Sequence, residues 1–207
     1  GAHHNCALKE SGTLSCWGSN DYGQALAPEG EYVQLAVGRN HNCAVTEQGA
    51  LSCWGSNESW QSLAPSGLYQ AVAVGGAHSC AIDLNGLVTC WGANSLDGVL
   101  VGQSSPPSVS FRQLALGERH SCGLTEAGSI VCWGSDELGQ SSPPDGYFTE
   151  ISAGSFHSCA ITTSKELICW GDNTFDQLDT DSDLDGFGVY LDANDQDEDV
   201  YQMDQDE

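Results

Sequence analysis

The most reactive side chains in this chain are those of its ten cysteines and of the histidines that precede them. The cysteines form five pairs with one common spacing: Cys6/Cys16, Cys43/Cys53, Cys80/Cys90, Cys122/Cys132 and Cys159/Cys169. A histidine stands two residues before the first cysteine of every pair: His4, His41, His78, His120 and His157. Thiolates and imidazoles bind zinc, and paired thiols also form redox centres or disulfides. Metal binding, redox exchange and cross-linking are therefore the three chemistries to weigh.

These residues belong to a motif that is written five times. Each copy has the form Gly-x-x-His-x-Cys, nine residues, then Cys-Trp-Gly, and the copies begin at Gly1, Gly38, Gly75, Gly117 and Gly154. The period is 37 residues, lengthened once to 42 by an insertion around residues 96–103. Repetition at this period is typical of propellers and solenoids. We predict an all-β chain with five propeller-type repeats over residues 1–178, in a partial or small propeller, and an irregular acidic tail at 179–207.

The pattern within one copy predicts a β-hairpin. Residues 6–8 and 14–17 are short apolar or alternating runs on either side of a turn. Placing Cys6 opposite Cys16 also pairs Leu8 with Leu14 and leaves a three-residue loop that ends in Gly12, where a left-handed backbone is needed. The fifth copy has Lys165 at that place, so a looser turn is expected there.

This register favours disulfides over metal. Opposed residues of an antiparallel pair have Cα atoms about 4.5–5.5 Å apart, which a disulfide can span. We predict one cross-strand disulfide in each hairpin. Zinc or redox chemistry is the alternative, but structural zinc sites usually use cysteines separated by about two to four residues. The repeated histidines are expected to hydrogen-bond to backbone or to a neighbouring repeat. The tryptophans that follow the second cysteines are expected to fill the space between repeats: Trp17, Trp54, Trp91, Trp133 and Trp170.

The motif, with its continuation Cys-Trp-Gly-Ser-Asn-x-x-Gly-Gln, resembles the repeat of the regulator of chromosome condensation family over residues 1–178. The resemblance implies a β-propeller of four-stranded blades, usually seven in number. Its cysteine pairs resemble the copies found in secreted bacterial proteins, one of which inhibits β-lactamases through loops at one end of the propeller. Nucleotide exchange on a small GTPase, the best-known activity of the family, transfers poorly. Its partners carry phosphates and basic surfaces, whereas this chain has 29 acidic and 5 basic residues.

Composition limits the partners and the compartment. A formal charge of -24 disfavours nucleic acid and anionic membranes, and it favours cationic partners or divalent metal ions. Ten cysteines in paired spacing indicate an oxidising compartment, so we expect a secreted or cell-surface protein. No apolar run of about 18 residues is present, so no membrane span is expected. The chain opens at a repeat core without an initiator methionine, and we expect a processed or excised piece.

The loops that follow the hairpins differ between copies, and variable loops on a fixed scaffold commonly carry binding specificity. We predict Tyr22, Trp60 and Leu138 as partner-binding residues, and Trp60 stands where other copies have glycine. The insertion at residues 95–102 is the most apolar of these loops. It forms either a contact patch or a segment folded back onto its own repeat, and the second interpretation is the expected one.

The C-terminal segment changes composition abruptly, with fourteen acidic residues and no lysine or arginine in 172–207. Its order suggests calcium, because alternate carboxylates before a glycine wrap hard cations. It departs from an EF-hand, since an aspartate ends the loop and no flanking helices are evident. It is more similar to the acidic Asp-Gly repeats of bacterial surface proteins. We predict one or two Ca²⁺ ions, and the alternative is a solvated acidic tail. The predicted ligands are Asp181, Asp183, Asp185 and Asp192, with Asp195 and Asp197 for a second site.

No catalytic motif emerges, neither a nucleophile elbow nor a phosphate-binding glycine loop. We therefore predict a non-enzymatic, secreted or cell-surface scaffold for protein–protein binding or extracellular assembly, stabilised by disulfides and calcium. The first copy lacks the strand-like run that precedes the others, and open strand edges favour pairing with another chain. Head-to-tail self-association is thus expected. The alternative is a secreted enzyme inhibitor, or an enzyme, that uses the loop face.

Overall fold

The computed structural model describes residues 1–178, and this part of the chain consists of sixteen β-strands joined by turns and loops, without a helix. The strands are β1 (His4–Leu8), β2 (Leu14–Gly18), β3 (Tyr32–Val37), β4 (His41–Thr46), β5 (Leu51–Gly55), β6 (Tyr69–Val74), β7 (His78–Asp83), β8 (Val88–Gly92), β9 (Ser95–Leu96), β10 (Val99–Leu100), β11 (Phe111–Leu116), β12 (His120–Thr125), β13 (Ile130–Gly134), β14 (Phe148–Ala153), β15 (His157–Thr162) and β16 (Leu167–Gly171). The all-β prediction is confirmed. No helix long and apolar enough to cross a membrane occurs in the described residues.

The strands form five blades, one for each repeat. The first blade is the hairpin β1–β2, and the others are antiparallel three-stranded sheets: β3–β4–β5, β6–β7–β8, β11–β12–β13 and β14–β15–β16. The family resemblance implied four strands in a blade, so this count is a correction. The stretches after the hairpins, such as residues 56–68, are turns and bends. They contain prolines such as Pro28 and Pro65, which cannot donate a ladder hydrogen bond.

The hairpin register is the predicted one. Cys6 lies opposite Cys16 and Leu8 opposite Leu14, and the same alignment recurs in the other four hairpins. Gly12 has a φ of 79°, and Lys165 adopts nearly the same conformation with a φ of 73°. The expected looser turn at Lys165 is therefore wrong. Its amide donates to the Thr162 carbonyl at 3.0 Å, as the Gly12 amide donates to the Lys9 carbonyl at 2.9 Å, and this bond holds the lysine in a strained backbone.

The apolar core lies between consecutive blades. One layer joins Cys43 and Val45 of the second blade to Tyr69 and Val72 of the third. Similar layers lie between the third and fourth blades and between the fourth and fifth. Because each blade is completed by its neighbour, the hydrogen bonds and charges at the blade interfaces decide how well the repeats hold together.

Within residues 1–178, each of the two end blades has one face without a neighbouring blade. Trp17 of the first blade is 54 % exposed, whereas its counterparts Trp133 and Trp170 are 9 % and 8 % exposed under the blade that precedes them. His157 of the last blade makes no side-chain hydrogen bond within residues 1–178, although the other four repeat histidines do. These open ends support the expectation of self-association, which stays a prediction.

Candidate protein-binding loops

The repeat histidines hold neighbouring blades together. The Nε2–H of His41 donates to Ser79 Oγ at 2.9 Å, and Ser79 Oγ donates to the Gln61 carbonyl at 3.3 Å. Trp91 Nε1–H donates to the same carbonyl at 2.8 Å. Because the serine hydrogen is directed to the carbonyl, the histidine must carry its proton on Nε2. The expected structural role is therefore confirmed for the histidines and tryptophans at the blade interfaces. It does not hold for Trp17, which is 54 % exposed, or for His157, which makes no side-chain hydrogen bond within residues 1–178.

The same arrangement recurs at the other described interfaces. His4 Nε2 bonds to Asn42 Oδ1 at 2.7 Å, and His78 and His120 bond to the serines of the following blades at 2.8 Å. In contrast, the Nδ1 atoms of the four bonded histidines are buried without a hydrogen-bond partner. Burial, together with the charge of neighbouring histidines, lowers the pKa of His41 to about 4, of His78 to about 3 and of His120 to about 4. These three imidazoles are thus neutral near pH 7.

The cysteines form the predicted bridges. Five disulfides join Cys6–Cys16, Cys43–Cys53, Cys80–Cys90, Cys122–Cys132 and Cys159–Cys169, and no cysteine is free. No group of three or more potential metal ligands occurs in the part of the chain that the structure describes. The cysteines therefore serve as cross-links, and the predicted calcium ligands at Asp181, Asp183, Asp185, Asp192, Asp195 and Asp197 lie outside the described residues.

Five equivalent loops leave the blades on one face, and we call them together the loop rim: residues 19–24, 56–61, 93–103, 135–140 and 172–177. Each loop is fixed to the turn before the repeat histidine of its own blade. The amide of Ser19 donates to the His3 carbonyl at 2.8 Å, and that of Ser56 donates to the Asn40 carbonyl at 2.9 Å. The last three loops make the equivalent bond at 2.8, 2.9 and 3.0 Å. One face of the row of five blades, which we call the arc, therefore carries all five variable loops.

Polar side chains lock the rim loops from inside. Buried Gln24 accepts the Tyr22 amide at 2.8 Å and donates to Ser19 Oγ at 3.0 Å, while Asn20 Oδ1 accepts the Ala25 amide at 3.1 Å. The second and fourth loops repeat all three bonds. The fifth loop repeats the two amide bonds through Gln177 and Asn173. Loops held in this way present their tips in one conformation, which reduces the entropy that binding would cost.

The locked loops display large apolar side chains to solvent. Tyr22, Leu138 and Phe175 occupy the same position in three loops, and Phe175 is 85 % exposed. In the second loop Trp60 stands at the glycine position with a φ of 65° and is 68 % exposed. The predicted residues Tyr22, Trp60 and Leu138 therefore lie on one exposed rim. Phe175 was missed, although alignment of its loop with those of Tyr22 and Leu138 would have revealed it.

The insertion in the third blade corrects another expectation. Residues 95–100 form the small hairpin β9–β10, and Val99 and Leu100 are about 70 % exposed. The segment therefore does not fold back onto its blade. Asn94 still closes the loop, since its Oδ1 accepts the Ser104 amide at 2.9 Å, and the Gln103 carbonyl still accepts Trp133 Nε1–H of the next blade at 2.9 Å. The amide two residues before Gln103, that of Val101, donates instead to the Asn94 carbonyl at 3.0 Å, so Gln103 Oε1 is buried without a partner.

The charges on the rim have one sign. The rim loops contain seven carboxylates and no lysine, arginine or histidine: Asp21, Glu58, Asp97, Asp136, Glu137, Asp172 and Asp176. Hydrogen bonds from Thr174 lower the pKa of Asp172, so that carboxylate is ionised at neutral pH. Lys9 and Lys165 lie in hairpin turns at the opposite end of the blades. The rim is thus an acidic surface with apolar tips.

A funnel opens on the same face at the centre of the arc. Its volume is about 620 Å³, and its lining includes the glycines that begin the repeats. These glycines allow close approach, because a Cβ at Gly75 would lie 2.5 Å from the Gly117 carbonyl and 2.6 Å from His78 Cε1. Arg39 and Arg119 also line the funnel, and Arg39 Nη1 lies 2.6 Å from Glu118 Oε1. The blades are therefore held together around the funnel by close backbone contacts and one ion pair.

Solved structures with this architecture are known. The chain is similar to the ectodomain of the receptor kinase CR4 from Physcomitrella patens, with 30 % identity, a TM-score of 0.70, and coverage of 82 % of this chain and 49 % of that one. For the ectodomain of the Arabidopsis thaliana receptor kinase ACR4 the values are 29 %, 0.67, 82 % and 62 %. Yeast RCC1 (Prp20), solved bound to Kap60, shares the fold at 22 % identity, with a TM-score of 0.69 and coverage of 83 % and 55 %.

The chain thus spans about half to three fifths of the length of these structures. No curated protein sequence matches it significantly. The model of the regulator of chromosome condensation (RCC1) repeat matches residues 1–24, 32–60, 69–97, 111–140 and 148–177. These five matches follow the five blades, and the chain belongs to the RCC1 repeat family.

Proposed function

We propose that this protein is an extracellular, non-enzymatic scaffold that binds another protein through its loop rim. The observation that carries the proposal is the set of exposed apolar tips, Tyr22, Trp60, Leu138 and Phe175, on loops that hydrogen bonds hold in place. Aromatic side chains on a rigid surface are typical binding anchors, and so many exposed apolar groups on one face are unfavourable unless a partner covers them.

The use of the reactive groups also supports binding rather than catalysis. All ten cysteines are in disulfides, and four of the repeat histidines are buried in hydrogen bonds between blades. Structures of related propellers point to protein partners. Two are receptor kinase ectodomains, and yeast RCC1 was solved bound to Kap60. The fold does not determine which partner this chain binds, because that depends on the residues of its own loop rim.

A secreted or cell-surface location is part of the proposal. Five disulfides are consistent with an oxidising, extracellular environment, because reducing compartments keep such pairs as thiols. Calcium is the other part, and the sequence alone supports it. The aspartates at 181, 183, 185 and 192 offer oxygen ligands with the spacing of a calcium loop, and a divalent ion would offset the repulsion among these carboxylates.

Site-specific photo-crosslinking tests the rim. A photoreactive amino acid replaces Trp60 in the full chain, and in a matched control it replaces Leu84, which is 65 % exposed in a hairpin turn at the opposite end. Each protein is incubated with extracellular proteins from its source. We expect a defined adduct from position 60 and none from position 84. Equal labelling from both positions, or no adduct from the rim, would refute the proposed function. If the partner is an enzyme, its activity in the complex tests the inhibitor alternative.

A further inference from the structure

We infer that the loop rim is built for a basic protein surface that carries both arginine or lysine and apolar side chains. The inference rests on the proposed function and adds the chemistry of the partner. Each exposed tip has a carboxylate close in sequence: Asp21 precedes Tyr22, Glu58 lies two residues before Trp60, and Glu137 precedes Leu138. Apolar contact and negative charge therefore alternate along the same surface.

Several rim carboxylates are available to a partner. Glu58 and Glu137 are exposed and accept no hydrogen bond within residues 1–178, and the same holds for Asp97 and Asp176. They are also unpaired with cations, since the one ion pair among the described residues is Arg39–Glu118 at the central funnel. A guanidinium placed over Trp60 or Tyr22 would meet an aromatic face and a carboxylate together, and both attract it.

Other classes of partner fit less well. The seven rim carboxylates would repel the phosphates of nucleic acid and of anionic lipid. They would equally repel the rim of a second copy, whose formal charge is also -24. A purely apolar partner would bury rim carboxylates without compensation, which is unfavourable. A basic surface with apolar groups would complement both the carboxylates and the apolar tips of the rim. Long-range electrostatic attraction would also speed its association.

The test uses a short amphipathic peptide of arginine and leucine as the probe, with the full chain and a calcium chelator. The same peptide with glutamate in place of arginine, and oligo-arginine without leucine, serve as comparison probes. Affinity is measured by calorimetry at low and high ionic strength. We expect tight, salt-sensitive binding of the arginine–leucine peptide, weaker binding of oligo-arginine, and no binding of the glutamate peptide.

Variants then locate the site. Trp60→Ser with Phe175→Ser removes two tips without changing charge, and we expect about 30-fold weaker binding. Its control is Leu84→Ser with Tyr147→Ser, two exposed apolar residues away from the rim. Glu58→Gln with Glu137→Gln removes two rim charges, and we expect about fivefold weaker binding. Its control is Glu10→Gln with Glu126→Gln, two exposed glutamates in hairpin turns at the opposite end.

The controls separate the rim from net charge and from the acidic tail. Losses confined to the two rim variants support the inference. Equal losses in rim and control variants would show attraction to net charge alone, and unchanged binding in all variants would place the peptide on the tail. Either result overturns the inference, as does the absence of binding. A rim-specific crosslinked protein with an acidic contact surface would refute the inference while leaving the proposed function intact.

Discussion

Arg39 Nη1 lies 2.6 Å from Glu118 Oε1, and this ion pair joins the second blade to the fourth across the third. Gly76 of the third blade makes the contact possible. A Cβ at position 76 would lie 2.6 Å from Glu118 Cδ and 2.7 Å from the Glu118 backbone oxygen. The missing side chain and the ion pair therefore form one unit at the mouth of the central funnel.

The ion pair and the close approach at Gly76 should contribute unequally to the free energy of unfolding. Glu118→Gln should lower the free energy of unfolding by about 1 kcal/mol or less, because Arg39 is largely exposed and water screens the pair. Gly76→Ala should cost about 1–3 kcal/mol, because the new methyl group meets backbone. Urea unfolding of both variants measures the difference. Equal costs would contradict the greater importance of the close approach.

The disulfides should contribute unequally. Each closes a loop of about eleven residues, worth roughly 3 kcal/mol if the entropy of the unfolded chain dominates. Cys80 is fully buried in the layer between the third and fourth blades, whereas Cys6 is partly exposed in the first blade. Replacing both Cys80 and Cys90 by Ala should therefore destabilise more than the same change at Cys6 and Cys16. Peptide mapping of the native protein should find only the five intra-repeat bridges, and a bridge between repeats would contradict the register.

Acidification should weaken the blade interfaces. The unfolded chain binds a proton at each histidine near pH 6.5, whereas the folded chain does so only near pH 4 for His41 and His120 and near pH 3 for His78. The unfolded state therefore holds more protons between these values, and stability falls as pH decreases through them. The slope is about 1.4 kcal/mol per pH unit for each histidine within its window.

Variants isolate this effect from the changing repulsion among carboxylates. His78→Gln keeps an N–H donor for Ser121 but cannot take up a proton, so its stability should fall less steeply between pH 6.5 and 4. His3→Gln changes an exposed histidine and should behave as the wild type. Unfolding in denaturant across this pH range provides the measurement. Identical slopes in all three proteins would exclude His78 as a cause.

Two equivalent glutamines should respond in opposite ways to one substitution. Gln61 accepts the Ser59 amide at 2.7 Å and donates to Ser56 Oγ at 3.1 Å, whereas the Gln103 side chain makes no hydrogen bond within residues 1–178. Gln61→Met should destabilise by about 1–3 kcal/mol, because it leaves buried partners unpaired. Gln103→Met should be neutral or stabilising. Thermal unfolding of both variants decides, and a comparable loss in each would mean that an unseen partner serves Gln103.

The calcium prediction concerns the tail. Calorimetry of the full chain with Ca²⁺ should show one or two sites, and the chain ended after residue 178 should show none. Replacement of Asp181, Asp183 and Asp185 by Asn should weaken the first site strongly, because each change removes a charged oxygen ligand. A control that replaces the rim carboxylates Glu58 and Glu137 by Gln should bind calcium normally. Heat that persists without the tail would move the site into the blades.

The sequence predicted the local structure correctly where a residue type has a single structural role. Cys6 opposite Cys16 determined the hairpin register, and Gly12 marked its turn. Lys165 misled because a turn bond holds it in a conformation that lysine rarely adopts. The Arg39–Glu118 pair and the use of the Gln61 carbonyl as a common acceptor could not be foreseen. Both depend on distances across blades, which spacing along one chain does not encode.

The third rim loop shows how this scaffold can acquire new surfaces. Asn94 still closes the loop and the Gln103 carbonyl still accepts Trp133 of the next blade although a hairpin has been added between the two residues, and one glutamine oxygen is left unpaired. The interval between these two residue types is therefore a graft point, since it takes extra chain without disturbing the blade beneath. Five such intervals lie on one face. A repertoire of recognition surfaces can evolve or be engineered there while the disulfide-linked blades stay unchanged.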